Sequence, residues 1–94
     1  MRHQYIVAYD ISDDKRLREV HRTMQGYGDK LQYSVFICEL SRKERVLLGT
    51  ALEELIDHAE DCIMIVDMGS GDQGKRFKFL GRQIELPARQ AVVV

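Results

Sequence analysis

The run Tyr5-Ile6-Val7-Ala8-Tyr9 stops at a carboxylate, Asp10, and a polar step, Ser12-Asp13-Asp14, then opens a helical pattern. A short apolar run rich in aromatic and β-branched residues specifies a buried strand. Strand ends beside helix starts sit on a rigid scaffold and open to solvent, which is where small α/β and α+β folds place chemistry. Asp10 occupies that point. Its residue type and position admit three readings: a metal ligand, an acceptor for backbone N–H groups at the helix start, or a polar strand end.

The remaining elements follow from periodicity. Ser12 reads as an N-cap, with Asp13 and Asp14 in a first turn where carboxylates favour the helix dipole. Leu17, Val20, Met24 and Tyr27 share one helical face, and Gly26 and Gly28 end that helix. Lys30 to Leu40 is a second β region, long for one strand, with a break into two strands near Tyr33-Ser34 left open because no Gly or Asn marks a turn. Ser41-Arg42-Lys43-Glu44 is a capping box, followed by an amphipathic helix carrying Leu48, Ala51, Leu52, Leu55 and Ile56. Cys62 to Met68 is a third apolar β run. Gly69 to Gly74 is a turn or loop, and Lys75 to Leu80 reads as a hairpin partner. The end, Ala91-Val92-Val93-Val94, has no local partner, so residues 82–94 are expected to form a tail that docks on a sheet edge or a second chain.

At 94 residues the chain has room for one domain, residues 1–94, and a small core, which favours oligomers. No apolar run reaches a membrane span, and the start lacks a signal-peptide shape. Cys38 and Cys62 have no ligand spacing and lie in apolar runs, so both read as buried thiols of a reducing cytoplasm. The net charge of −1 argues against a uniformly basic nucleic-acid binder, yet Lys15, Arg16, Arg18 and Arg22, then Arg42, Lys43 and Arg45, then Lys75, Arg76, Lys78 and Arg82 are segregated from the acidic stretch Glu53 to Gln73. His21 and His58 read as boundary or surface histidines; Tyr5, Tyr9 and Phe36 read as core.

Two helices interleaved with strands in one small domain predict an α+β sandwich of ferredoxin-like βαββαβ type, both helices on one face of an antiparallel sheet, with an extra C-terminal strand. The opposite face, expected to carry Ile6 and Ala8, or Phe36 and Cys38, then needs covering, and a second copy packed sheet to sheet covers it.

Tyr9-Asp10-Ile11 after the opening strand, Gln32-Tyr33-Ser34-Val35-Phe36 in the middle, and the Val-Val-Val end together make the whole chain resemble the second core CRISPR-associated protein family, the small partner of the CRISPR integrase in spacer acquisition. The resemblance implies a homodimer of ferredoxin-like folds with facing sheets, and a magnesium ion, or manganese, held between the subunits by Asp10 from each. It implies metal-dependent endonuclease activity on single-stranded RNA or double-stranded DNA, with Asp10 catalytic, and a bridge between integrase dimers that holds DNA. Arg16, Arg18, Lys30 and Ser34 become nucleic-acid-binding candidates, with Phe36 beside Ser34. Lys30 stands where relatives often have arginine, keeping the charge but not the planar fork. The first-helix basic residues do not align cleanly with those of relatives. A non-catalytic nucleic-acid scaffold and a toxin-like endoribonuclease of the same fold are the alternative readings.

Overall fold

The computed structural model describes residues 1–71 and 76–86. Their order is β1 (His3–Asp10), α1 (Asp14–Gln25), β2 (Gly28–Gln32), β3 (Val35–Leu40), α2 (Arg42–Leu55) and β4 (Cys62–Gly69). The four strands form one sheet in the order β2-β3-β1-β4, each neighbouring pair antiparallel. This is the ferredoxin-like βαββαβ arrangement, with β1 in the interior of the sheet.

One face of the sheet carries both helices. Tyr5, Val7 and Tyr9 of β1 and Phe36, Cys38 and Leu40 of β3 join Val20 and Met24 of α1 and Leu48 and Leu52 of α2 in a single core cluster. Each fully buried aliphatic side chain there contributes about 1.5–3 kcal/mol relative to exposure. Burial also pushes the Cys38 thiol up to about 12, so it packs as a neutral hydrophobe. Cys62, by contrast, is exposed, because it opens the edge strand β4.

Local signals place the helices with two adjustments. The Ser41–Glu44 capping box starts α2, the Ser41 N–H donating to Glu44 at 2.8 Å and the Glu44 N–H to Ser41 Oγ at 3.2 Å. The cap of α1 is Asp13 rather than Ser12: Asp13 accepts from the Arg16 N–H at 2.9 Å. The Ser12 hydroxyl instead donates to the Glu60 carbonyl at 2.7 Å, so it is engaged away from the helix. Gly26 caps α1, whereas Gly28 begins β2 instead of ending the helix.

The second β region does break at Tyr33-Ser34 into β2 and β3. A register shift between Lys30 and Gln32 marks the turn that no Gly or Asn signals. This fixes which face each β3 residue takes. Phe36 and Cys38 lie under the helices, not on the open face as one reading of the pattern had it. Val35 and Ile37 take the open face, opposite Ala8 and Ile6. Past β4, Gly69 and Gly71 adopt positive φ and turn the chain. The hairpin strand expected over Lys75 to Leu80 is absent among the described residues: Arg76 is in a short helical turn and 77–86 have no regular structure. The docking strand expected of Ala91 to Val94 lies outside the described residues.

Gly28 is the tightest point of the sheet. A Cβ there would press on the Ile37 carbonyl oxygen and Cys38 Sγ, one of them rigid backbone. Gly28→Ala is therefore expected to lose about 1–3 kcal/mol of stability in urea unfolding, and unchanged stability would contradict this packing.

Candidate functional site

Side chains alternate along a strand, so with Tyr5, Val7 and Tyr9 turned to the helices, Ile6, Ala8 and Asp10 face the other way. Asp10 is thus the last residue on the open face of β1. It is exposed and, among the described residues, its carboxylate has no hydrogen bond or ion pair. The helix-start reading of Asp10 is therefore not what the structure shows, since α1 is capped by Asp13. Cys62 is its register partner on β4, and Met64 and Val66 follow opposite Ala8 and Ile6. Met64 is 55% exposed and Val66 38%, so an apolar face leads up to the carboxylate. Beside it, the Tyr9 N–H donates to the Ser34 carbonyl at 3.0 Å, which fixes the β2–β3 turn against the end of β1.

A second carboxylate, Asp61, organises the loop that follows Asp10. Its side chain is fully buried. It accepts from the Ser12 N–H at 2.9 Å, the Asp57 N–H at 2.8 Å, and Arg16 Nε and Nη2 at 2.8 and 3.2 Å. The Arg16 hydrogen bond, helped by the two backbone amides, holds the Asp61 carboxyl well below the usual range even though burial alone would raise it. The same contact raises Arg16. Arg16 therefore ties α1 to the α2–β4 loop, and Arg18 and Arg22 take no part in that contact.

Those two residues line a groove of about 330 Å³ between α1 and β2, with Leu17, His21, Gln25, Lys30 and Tyr33. No carboxylate is among the lining residues. Lys30 lies opposite Phe36 on the helix face, and its Nζ sits over the Tyr33 ring at 5.5 Å. His21 closes the inner wall. Its Nδ1 and the Tyr9 hydroxyl are 3.0 Å apart, and its ring meets Phe36 edge-on at 5.4 Å. Burial raises the Tyr9 hydroxyl, keeping it protonated in that hydrogen bond.

The expected residues thus divide in two. Asp10 stands on the open face; Arg18 and Lys30 stand across the sheet, on the helix side. Ser34 links them through its turn. Phe36 is 1% exposed and lines neither surface. Nothing in the sequence marks Asp61 or Tyr33 as a site residue. A partnership across 45 positions leaves no local pattern, and Tyr33 reads as one more member of an alternating strand.

Residues 2–76 match the family model of the CRISPR associated protein Cas2. The chain belongs to the Cas2 family. A Cas2 relative from Rhodospirillum rubrum, named a CRISPR-associated endoribonuclease, is 42% identical over 98% of this chain and 91% of its own length. Another so named, from Geobacter sulfurreducens, is 40% identical with both chains fully covered. Among solved structures, Cas2 from Streptococcus pyogenes superposes with a TM-score of 0.75 at 30% identity, covering 83% of this chain and 99% of that one. A hypothetical protein from Thermus thermophilus gives 0.77 at 29% identity over 87% and 94%.

In this Cas2 chain, the Asp61 hub has a pH signature. A carboxyl whose folded pKa lies below its unfolded value of about 3.9 stabilises fully above that value and less as pH falls toward the folded one. Asp61→Asn is expected to lower the Tm at neutral pH. The gap from the parent should narrow as the pH drops below about 4; a gap constant across that range would contradict the hub.

Proposed function

We propose that this chain is a divalent-metal-dependent endonuclease of CRISPR adaptation, acting on single-stranded RNA or double-stranded DNA as a homodimer whose two Asp10 carboxylates share one ion. The observation that carries the reading is the placement of Asp10: exposed, without a partner among the described residues, and last on a face whose Met64 and Val66 stay open to solvent. The names of the endoribonuclease relatives support the nuclease class.

The residues fit a hard divalent ion as half of a site. Carboxylate oxygen suits Mg²⁺ or Mn²⁺, and Mg²⁺ commonly takes only one or two carboxylates and keeps its waters. Among the described residues no group of three or more His, Cys, Asp or Glu could hold a metal within one chain. Two copies packed through Ile6, Ala8, Met64 and Val66 bring two carboxylates to the same end. When bound there, the ion supplies an activated water and offsets charge on the phosphoryl group being cleaved. The chain does the rest: the Asp61 hub fixes the backbone after Asp10, the Ser34 carbonyl fixes it before, and Arg18, Arg22 and Lys30 hold phosphates.

A second reading is favoured by one observation. The basic groove lies across the sheet from Asp10, so duplex DNA can be held there with no reaction. A non-catalytic dimer bridging CRISPR integrase units needs only that surface.

Two variants separate these readings. Asp10→Ala is expected to abolish Mg²⁺-dependent cleavage of RNA and duplex substrates while leaving the dimer and its DNA binding intact. Cleavage that continues in EDTA would sink the metal-nuclease reading, and spacer acquisition that survives Asp10→Ala would assign the biology to the scaffold. Met64→Glu, at an already exposed position, is expected to give monomers by light scattering and to lose cleavage along with the dimer. An active monomer would refute the shared site.

A further inference from the structure

We propose that the groove between α1 and β2 seats one unpaired nucleotide, its base stacked on Tyr33 and its flanking phosphates held by Arg18, Arg22 and Lys30. This rests on the reading of the chain as a nucleic-acid-processing protein, and it gives that protein a means of selecting single-stranded segments.

Tyr33 is 71% exposed at the tip of the β2–β3 turn. A turn asks for small or polar residues there, and an aromatic ring left in water forgoes the 150–250 Å² it could bury. A lone exposed tyrosine would mean little. This one stands at the mouth of a groove with three cations and no acid, and Lys30 already places its ammonium over the ring at 5.5 Å. An aromatic platform with basic side chains beside it is the combination by which proteins hold single strands, base on ring and backbone on charge.

Size and chemistry narrow the ligand. At about 330 Å³ the groove is at the lower end of small-molecule sites, which begin near roughly 300 Å³. That suits one nucleotide. In a duplex both faces of each base are occupied by its neighbours, so a ring can stack only on a base that is unpaired or splayed out. Phosphate contacts alone would not discriminate, because they read charge and not strandedness. Gln25, in the same lining, carries an amide that can donate and accept on a base edge.

His21 is not a free participant. Its hydrogen bond to Tyr9 and its edge contact with Phe36 make it a fixed wall, so the seat is formed before ligand arrives. The turn that carries Tyr33 is itself held in place, the Ser34 carbonyl accepting from the Tyr9 N–H at 3.0 Å.

The test uses the full chain and two probes of one sequence: a single-stranded oligonucleotide carrying 2-aminopurine, and its blunt duplex. Tyr33→Leu is expected to weaken single-strand binding about five- to one-hundred-fold, the range of one lost base stack. It should leave duplex affinity within about twofold, since the phosphate contacts remain. Tyr33→Phe should restore binding. Quenching of the 2-aminopurine should occur with the parent and with Tyr33→Phe, and vanish with Tyr33→Leu. The double variant Arg18→Ala/Arg22→Ala should weaken both probes and flatten the salt dependence. An equal loss on duplex and single strand with Tyr33→Leu, or no loss on either while the parent binds both, overturns the stacking seat and leaves the nuclease reading standing. A parent that binds neither probe overturns both.

Discussion

Because β1 has a hydrogen-bonded strand on each side, its residues have only two directions available: into the helix layer or out to the open face. Tyr5, Val7 and Tyr9 take the first and form the floor of the core. Ile6, Ala8 and Asp10 must then take the second. The position of the carboxylate is therefore a consequence of core packing, and no local preference of Asp10 is needed to explain it. The same alternation, carried through the register with β3 and β4, puts Ile37, Val35, Val66, Met64 and Cys62 on the same side as Asp10. A single face ends up both apolar and tipped with a charge.

Much of this was legible in the residues. The order of strands and helices follows from periodicity, and the Ser41–Glu44 capping box needs only four positions to specify its helix start. Harder to read was anything set by a choice between equals or by distance in the chain. Ser12 and Asp13 are both competent caps, and the choice went to Asp13 because the Glu60 carbonyl claims the Ser12 hydroxyl. The faces of β3 depended on where the chain turned. Tyr33 and Ser34 carry no turn residue to announce it, so Phe36 and Cys38 could be assigned to either side. Cys62 sits in an apolar run that reads as buried, but an edge strand at its first residue is open to water. Asp61 looks like one acid among many until the fold brings Arg16 to it.

The two surfaces differ in physical chemistry. The open face carries Ile6, Ala8, Met64 and Val66 and ends at the Asp10 carboxylate. The groove beside α1 has the reverse character: cations around an exposed ring, suited to a polyanion with bare bases. A near-neutral net charge conceals this, since it averages over surfaces of opposite character. The Tyr33–Ser34 turn is tied to β1 by the hydrogen bond from the Tyr9 N–H to the Ser34 carbonyl.

The buried Asp61 has a further effect, on the entropy of binding. By accepting the Ser12 amide it immobilises the backbone two residues beyond Asp10, and by accepting the Asp57 amide it closes the α2–β4 loop from which it does so. Ordering one residue of free backbone costs about 1–2 kcal/mol, and here that cost is met during folding. A ligand reaching the end of β1 thus finds a chain that has little freedom left to lose, so more of its contact energy is retained as affinity.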